Sequence, residues 1–274
     1  ISALLSFKKI KIYNFITGIG NLYFENNFKR QIIFFLYRLS FLKSEKIIFQ
    51  NTEDINFFVK HKIVNQNKCL LIPGSGVNTN FFEFSPIPQT KNNFLKFLCV
   101  SRLIKHKGIY EYIKAAKLIK NEYPNVEFTL VGSIDQQYSY KLNTEILENS
   151  KSFIKHIEFT DQIKNYIKSC DCFVLPSYRE GTSRSILEAA SIGRPIITSD
   201  VPGCNNIVFN EYNGYLCLPA DEYSLYKKIK KMIHTDFHIR EKMAINGRNL
   251  IEKKFDINII NEEIIKILTS SVES

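Results

Sequence analysis

From about residue 94 onward, short apolar runs alternate with amphipathic stretches of helical period, and this alternation limits the fold more than any other feature of the chain. Residues 95–101, 126–131, 153–159, 172–175, 196–199 and 214–218 read as strands. Residues 107–121, 138–149, 163–169 and 183–191 read as the helices between them, with 222–234 and 237–255 as two that follow. In the 107–121 stretch Ile109, Ile113 and Ala116 recur at the spacing of one helix face. The 183–191 helix runs into Gly193-Arg194-Pro195, a strong C-terminal stop. Strands alternating with helices build a parallel sheet covered on both faces. Right-handed crossovers then give a Rossmann-like α/β domain, which binds ligands beyond the carboxyl ends of its strands. The loops after Ser101, Val131, Phe159, Leu175 and Ser199 are therefore expected to line one cleft.

The first 83 residues read as a remnant of another such domain: strands at 9–16, 46–50 and 69–72, with a helix at 29–42. Two or three strands do not make a stable open α/β domain alone. Residues 84–93, with two prolines, read as an interdomain linker, 94–251 as the complete C-terminal domain, and 252–274 as a helix returning to the N-terminal part. The chain begins with Ile rather than Met, so translation is expected to start upstream of residue 1.

Charge and cysteine content narrow the partners. The formal net charge is +10, and residues 1–83 hold 11 Lys/Arg against 5 Asp/Glu among many Phe, Tyr and Ile. Such a surface suits an anionic membrane face or nucleic acid, and it is also what an AT-rich genome encodes. Residues 28–42 read either as a basic amphipathic helix lying at a membrane interface or as a core helix of the incomplete domain. The longest apolar runs, such as 32–37, fall far short of the ~20 residues a membrane-spanning helix needs. Of the six cysteines, Cys69, Cys99, Cys172 and Cys217 lie in apolar runs and read as small buried hydrophobes; Cys170 and Cys172 lack the spacing of a zinc or redox motif. A reducing, cytoplasmic compartment follows as the expectation.

Three loops carry polar groups suited to a phosphorylated ligand. After the 172–175 strand comes Pro176-Ser177-Tyr178-Arg179-Glu180-Gly181-Thr182-Ser183-Arg184, then a helix containing Glu188. Ser and Thr can cap that helix, and its N-terminus favours phosphate. Glu180 and Glu188 stand eight residues apart, about 12 Å if wholly helical. Ser101-Arg102 through Lys107-Gly108 follows another strand, setting two cations at the cleft mouth. Gly74-Ser75-Gly76-Val77-Asn78 forms a third strand-end loop, where glycine permits close backbone approach. Taken alone, the glutamate pair and the basic pair each read more readily as solvated surface groups, and the glycine loop is a weak motif.

Together these segments resemble glycosyltransferase family 4, whose members have the two-domain GT-B fold. Glu180 and Glu188 match its glutamate pair, Arg102 and Lys107 its basic pair, and Gly74–Asn78 a loop before the second domain. The run Glu180–Ala190 with Asp200-Val201-Pro202-Gly203-Cys204, together with Ile16-Thr17-Gly18-Ile19-Gly20, is similar to a subgroup that builds bacterial surface glycans. Its members pass a hexose or N-acetylhexosamine from a UDP-sugar to a polyprenyl-diphosphate-linked saccharide. The resemblance implies a retaining, metal-independent transferase with no cofactor beyond its UDP-sugar donor. It acts at the cytoplasmic face of the cell membrane through peripheral contact and without nucleic acid. By the same resemblance, Glu188 holds the ribose hydroxyls, Glu180 the donor sugar, and Arg102 and Lys107 the diphosphate. Gly181, Thr182, Ser183, Arg184, Gly76 and Gly132 complete the donor site. Asn205-Asn206 replaces the subgroup's usual Arg-Glu and Asn78 its Asp, while the family's first glycine loop and a histidine near the donor sugar are expected upstream of Ile1. The alternatives are a nucleotide-sugar binder without turnover and a UDP-sugar epimerase.

Overall fold

The structure is a computed structural model that describes residues 11–23, 27–89, 94–134 and 144–270. The expected linker residues 90–93, the start of the 138–149 helix and the end of the last helix lie outside the described residues. The described residues up to 83 hold a parallel sheet in the order β1-β2-β3, with β1 at Ile12–Ile16, β2 at Ser44–Phe49 and β3 at Cys69–Leu71. Between β1 and β2 runs α1, Asn27–Phe41; between β2 and β3 runs α2, Thr52–Lys60. The period of a strand decides which way β2 faces. Ile47 and Phe49 join Phe34, Phe41, Ile55 and Phe58 in one core, whereas Ile48 packs with Ile72 and Ile260 in another.

The second sheet is parallel throughout, in the order β6-β5-β4-β7-β8-β9. Its strands are β4 Lys96–Val100, β5 Glu127–Val131, β6 Lys155–Ile157, β7 Cys172–Leu175, β8 Ile196–Ser199 and β9 Gly214–Cys217. All four residues of β7 are buried, which is why it reads as an unbroken apolar run. The helices are α3 Ile109–Glu122, α4 Thr144–Ser150, α5 Ile163–Ser169, α6 Arg184–Ile192, α7 Glu222–Ile233, α8 Phe237–Lys254 and α9 Ile257–Ser270. The chain leaves β4 for β5 on one side and later returns to place β7 on the other. Right-handed crossovers therefore put α3 and α6 on opposite faces, and the two strands part at their carboxyl ends.

Helix α8 ends at Lys254, within one residue of the expected 237–255 helix, and Phe255 caps it; beyond the cap, Val77 N–H donates to the Phe255 carbonyl at 2.9 Å and Ile257 N–H to the Val77 carbonyl at 3.0 Å. This crossing, closed by Thr79 Oγ1 on Asp256 at 2.5 Å, turns α9 onto the N-terminal sheet through Ile260. The described part of the linker is pinned rather than loose. Arg194, fully buried, donates to the carbonyls of Ser85, Pro86 and Cys170. Cys69 is only half-buried, whereas the other five cysteines are buried. Among the described residues no helix is long and apolar enough to cross a membrane.

Candidate functional site

At the carboxyl ends of β4 and β7 the sheet opens into a cleft of about 600 Å³. Loops from four strands line it: Ser101, Arg102 and Lys107 after β4, Gly132 and Ser133 after β5, Glu158–Thr160 after β6, and Glu180 with Thr182–Ser185 and Glu188 after β7. The expected loop after β8 is not part of this lining. It lies behind the β7 loop, where the Pro202 carbonyl accepts from Glu180 N–H at 3.1 Å and the Gly203 carbonyl from Ser183 N–H at 3.0 Å. The β4 and β5 loops touch closely. A Cβ on Gly132 would stand 1.8 Å from the Ser101 carbonyl oxygen, and the φ of +153° there is one that side chains avoid.

The structure thus brings Arg102, Lys107, Glu180 and Glu188 to one cleft, together with Gly132, Thr182, Ser183 and Arg184. Gly181 lines an adjoining recess that shares Arg102, Lys107 and Glu180 and adds Thr17 and Gly18 from the N-terminal part. Gly76 is not in the cleft. It borders a separate depression with Asn78, Phe81 and Arg184, and a Cβ on it would meet the Ile257 backbone at 2.9 Å, so its smallness serves the crossing at Val77. Asn78 accepts from Phe81 N–H at 2.9 Å, and Asn205 donates to Asp200 at 2.9 Å; neither lines the cleft.

Glu180 and Glu188 each have a cation at hand. Lys107 Nζ stands 2.5 Å from Glu180 Oε1, and Ser177 Oγ donates to the same oxygen at 2.6 Å. Both contacts fall on Oε1, which leaves Oε2 as an acceptor for a ligand hydroxyl. Glu188, on the second turn of α6, accepts from Arg184 Nε at 3.0 Å, with its side chain 13% exposed and that of Arg184 77%. Burial pushes the Glu188 pKa up, and Arg184 offsets this only in part. Ser183 occupies the expected N-cap of α6, yet its hydroxyl makes no cap bond and lies 3.5 Å from the Ser185 hydroxyl. The first-turn amides of α6 are thus left without a side-chain cap at the cleft wall, where a helix N-terminus attracts an anion. Glu180 precedes the helix, so the fully helical 12 Å spacing does not apply.

Sequence comparison decides what this arrangement belongs to. The family model of glycosyl transferases group 1 matches residues 80–250. The chain belongs to that family. A Campylobacter jejuni relative of this group 1 chain, the N,N'-diacetylbacillosaminyl-diphospho-undecaprenol alpha-1,3-N-acetylgalactosaminyltransferase, is 29% identical over 92% of this chain and 68% of its own length. The Escherichia coli UDP-Gal:alpha-D-GlcNAc-diphosphoundecaprenol alpha-1,3-galactosyltransferase is 32% identical over 77% of this chain and 57% of its own. Among solved structures, Anabaena Alr3699/HepE in complex with UDP-glucose superposes with a TM-score of 0.82 at 20% identity, over 98% of this chain and 75% of that one. Sucrose-phosphate synthase from Thermosynechococcus elongatus also gives 0.82, at 18% identity over 98% of this chain and 70% of its own. The fold is GT-B, with two parallel-sheet α/β parts, and this group 1 chain is a glycosyltransferase.

Several contributors escaped the sequence reading. Ser177 fixes Glu180, and Tyr178 Oη donates to Glu111 Oε1 at 2.8 Å. From the N-terminal part, Asn51 Nδ2 donates to the Gly181 carbonyl at 2.9 Å, and Asp54 pairs with Arg179 at 2.5 Å. The Asn51-Thr52-Glu53-Asp54 run carries an N-cap with an acidic first turn, a signal that could have revealed α2. Nothing local could have revealed its partners.

Proposed function

We propose that this chain carries the donor site of a family 4 enzyme that moves a hexose or N-acetylhexosamine from a UDP-sugar onto a polyprenyl-diphosphate-linked saccharide. Configuration at the anomeric carbon is retained and no metal takes part. The observation that carries this reading is the convergence of Arg102, Lys107, Glu180 and Glu188 on one switch-point cleft. The names of the Campylobacter jejuni and Escherichia coli relatives, which specify diphospho-undecaprenol acceptors, support the acceptor class.

Glu188 accepts the ribose hydroxyls, and the α6 amides and Arg184 take the diphosphate from one side. Arg102 and Lys107 take it from the other. Glu180 presents Oε2 to the donor sugar while Lys107 and Ser177 hold Oε1. The acceptor hydroxyl oxygen bonds to the anomeric carbon as the bond from that carbon to the β-phosphate oxygen breaks. The hydroxyl proton passes to the departing phosphate. The negative charge that builds on the diphosphate as the bond breaks is balanced by the two fixed cations, which is the service a metal would otherwise render.

On α1, Phe28, Ile32, Phe35 and Leu36 are exposed on one face, alongside Lys29. This face rests on the cytoplasmic leaflet of the cell membrane, where the lipid-linked acceptor is held. Labelled UDP-hexoses and UDP-N-acetylhexosamines, mixed with a polyprenyl-diphosphate-linked sugar, test the whole reading. Acceptor-dependent release of UDP that survives a chelator is expected. Isomerised donor without acceptor, or abolition by the chelator, contradicts it.

A further inference from the structure

The buried ion pair between Asp54 and Arg179 joins the two domains at the catalytic loop. Asp54 lies in the first turn of α2 with its side chain 0% exposed, and Arg179, 11% exposed, stands immediately before Glu180. Neighbouring contacts reinforce the join. Asn51 caps α2 by accepting from Asp54 N–H at 2.8 Å while donating to the Gly181 carbonyl, and Thr182 Oγ1 reaches the Gln50 carbonyl at 3.3 Å. A Cβ on Gly181 would sit 1.9 Å from the Thr17 carbonyl oxygen, so the loop also meets the Thr17-Gly18 turn face to face. Tyr178, one residue back, is anchored instead on its own domain, through Glu111 of α3 and the His106 carbonyl. Residues 178 and 179 are therefore held by different domains, and Glu180 follows directly.

Burying two charges is expensive, and the gain in net stability is small or absent; the best-attested use of such a pair is to set register. We propose that Asp54 and Arg179 form an interdomain latch that positions Glu180, so that the donor sugar is gripped when the N-terminal domain is seated. Both are positioning residues, since they act through Glu180 rather than on substrate. Consecutive Cα atoms are about 3.8 Å apart, so a shift at Arg179 passes directly to Glu180. Glu188 and the α6 N-terminus, by contrast, hold the nucleotide from the C-terminal domain. The latch rests on the reading of Glu180 as the acceptor for donor-sugar hydroxyls.

Its signature is a selective loss. Calorimetric affinities for UDP, and for a panel of UDP-hexoses and UDP-N-acetylhexosamines, give the extra binding that the sugar contributes. In Asp54→Asn, UDP affinity is expected to stay within about threefold of wild type while the sugar's contribution falls about tenfold or more, as misplacement of a contact group does. Arg179→Lys, which keeps the charge and loses the fork, retains part of that contribution. Should Asp54→Asn fail to fold, Asp54→Asn/Arg179→Gln leaves no unpaired buried charge and is read in the same way. An unchanged sugar contribution in a folded variant, or a parallel fall in UDP and UDP-sugar affinity, overturns the latch. A wild-type chain that gains nothing from the sugar overturns the role of Glu180 itself.

Discussion

Glu188 carries the clearest tension between folding and function. Its raised pKa, caused by burial, means that over the window from the ordinary carboxylate range up to that raised value the folded chain keeps a proton the unfolded chain has released. Stability contributed at this site therefore falls as pH rises through the window, and at neutral pH the ionised group weakens the fold. Glu188→Gln is expected to raise the melting temperature at neutral pH, read by differential scanning calorimetry. It is also expected to weaken UDP binding about tenfold or more, since a hydrogen bond to a charged group is worth about 1.5–3 kcal/mol. In the wild type, UDP affinity should decline on acidification from a pH above the usual carboxylate range, and Glu188→Gln should flatten that profile. Arg102→Ala and Lys107→Ala act on the departing diphosphate; each should lower kcat by roughly 100- to 1,000-fold in single-turnover assays, as loss of one oxyanion donor does. At this scale the sequence displayed the four polar groups through their spacing behind strand ends. It hid Asp54 and Asn51, because their worth comes from partners as far as 130 positions away, and it hid Ser177 because a loop serine shows no sign of which carboxylate oxygen it will hold.

Elements were legible where burial on both faces imposes an unbroken apolar run. Strands β7 and β8 occupy the expected residues; β1, expected from residue 9, is described from Ile12, and the others differ by one or two at their ends. Helix α2 went unread because nine residues containing Phe57 and Phe58 give too short a period to stand out. Strand order was not legible at all, since side chains on β4 do not announce whether β5 or β7 lies beside them. Order nonetheless decides which loops meet, and it moved the β8 loop from the cleft wall to its support. The contact of the β4 and β5 loops is testable here. Gly132→Ala forces a Cβ against the Ser101 carbonyl and should destabilise the chain by about 1–3 kcal/mol, the usual expense of a strained backbone position, in urea unfolding. Because Ser101 adjoins Arg102, the same variant should also lower UDP affinity. On α1, replacing Phe28, Phe35 and Leu36 with Ser should reduce sedimentation with anionic vesicles while leaving UDP affinity unchanged.

For the whole molecule, the expectation of two α/β parts follows from the alternation of strands and helices, whereas their coupling emerges only in three dimensions. The main chain crosses between the parts at Val77 and Phe255–Ile257, and α9 adds Ile260 to the core formed by Ile48 and Ile72. Ile260→Ala should cost about 2–5 kcal/mol, as truncation of a buried aliphatic side chain does, and loosen the N-terminal sheet first in hydrogen exchange. The central claim concerns the cleft between the carboxyl ends of β4 and β7, and a crystal structure of this chain with UDP tests it most directly. The ribose hydroxyls are predicted within hydrogen-bond reach of Glu188, with the diphosphate between the α6 N-terminus and the Arg102–Lys107 pair. UDP bound away from Glu188, or with its phosphates turned from both cations, would contradict the account.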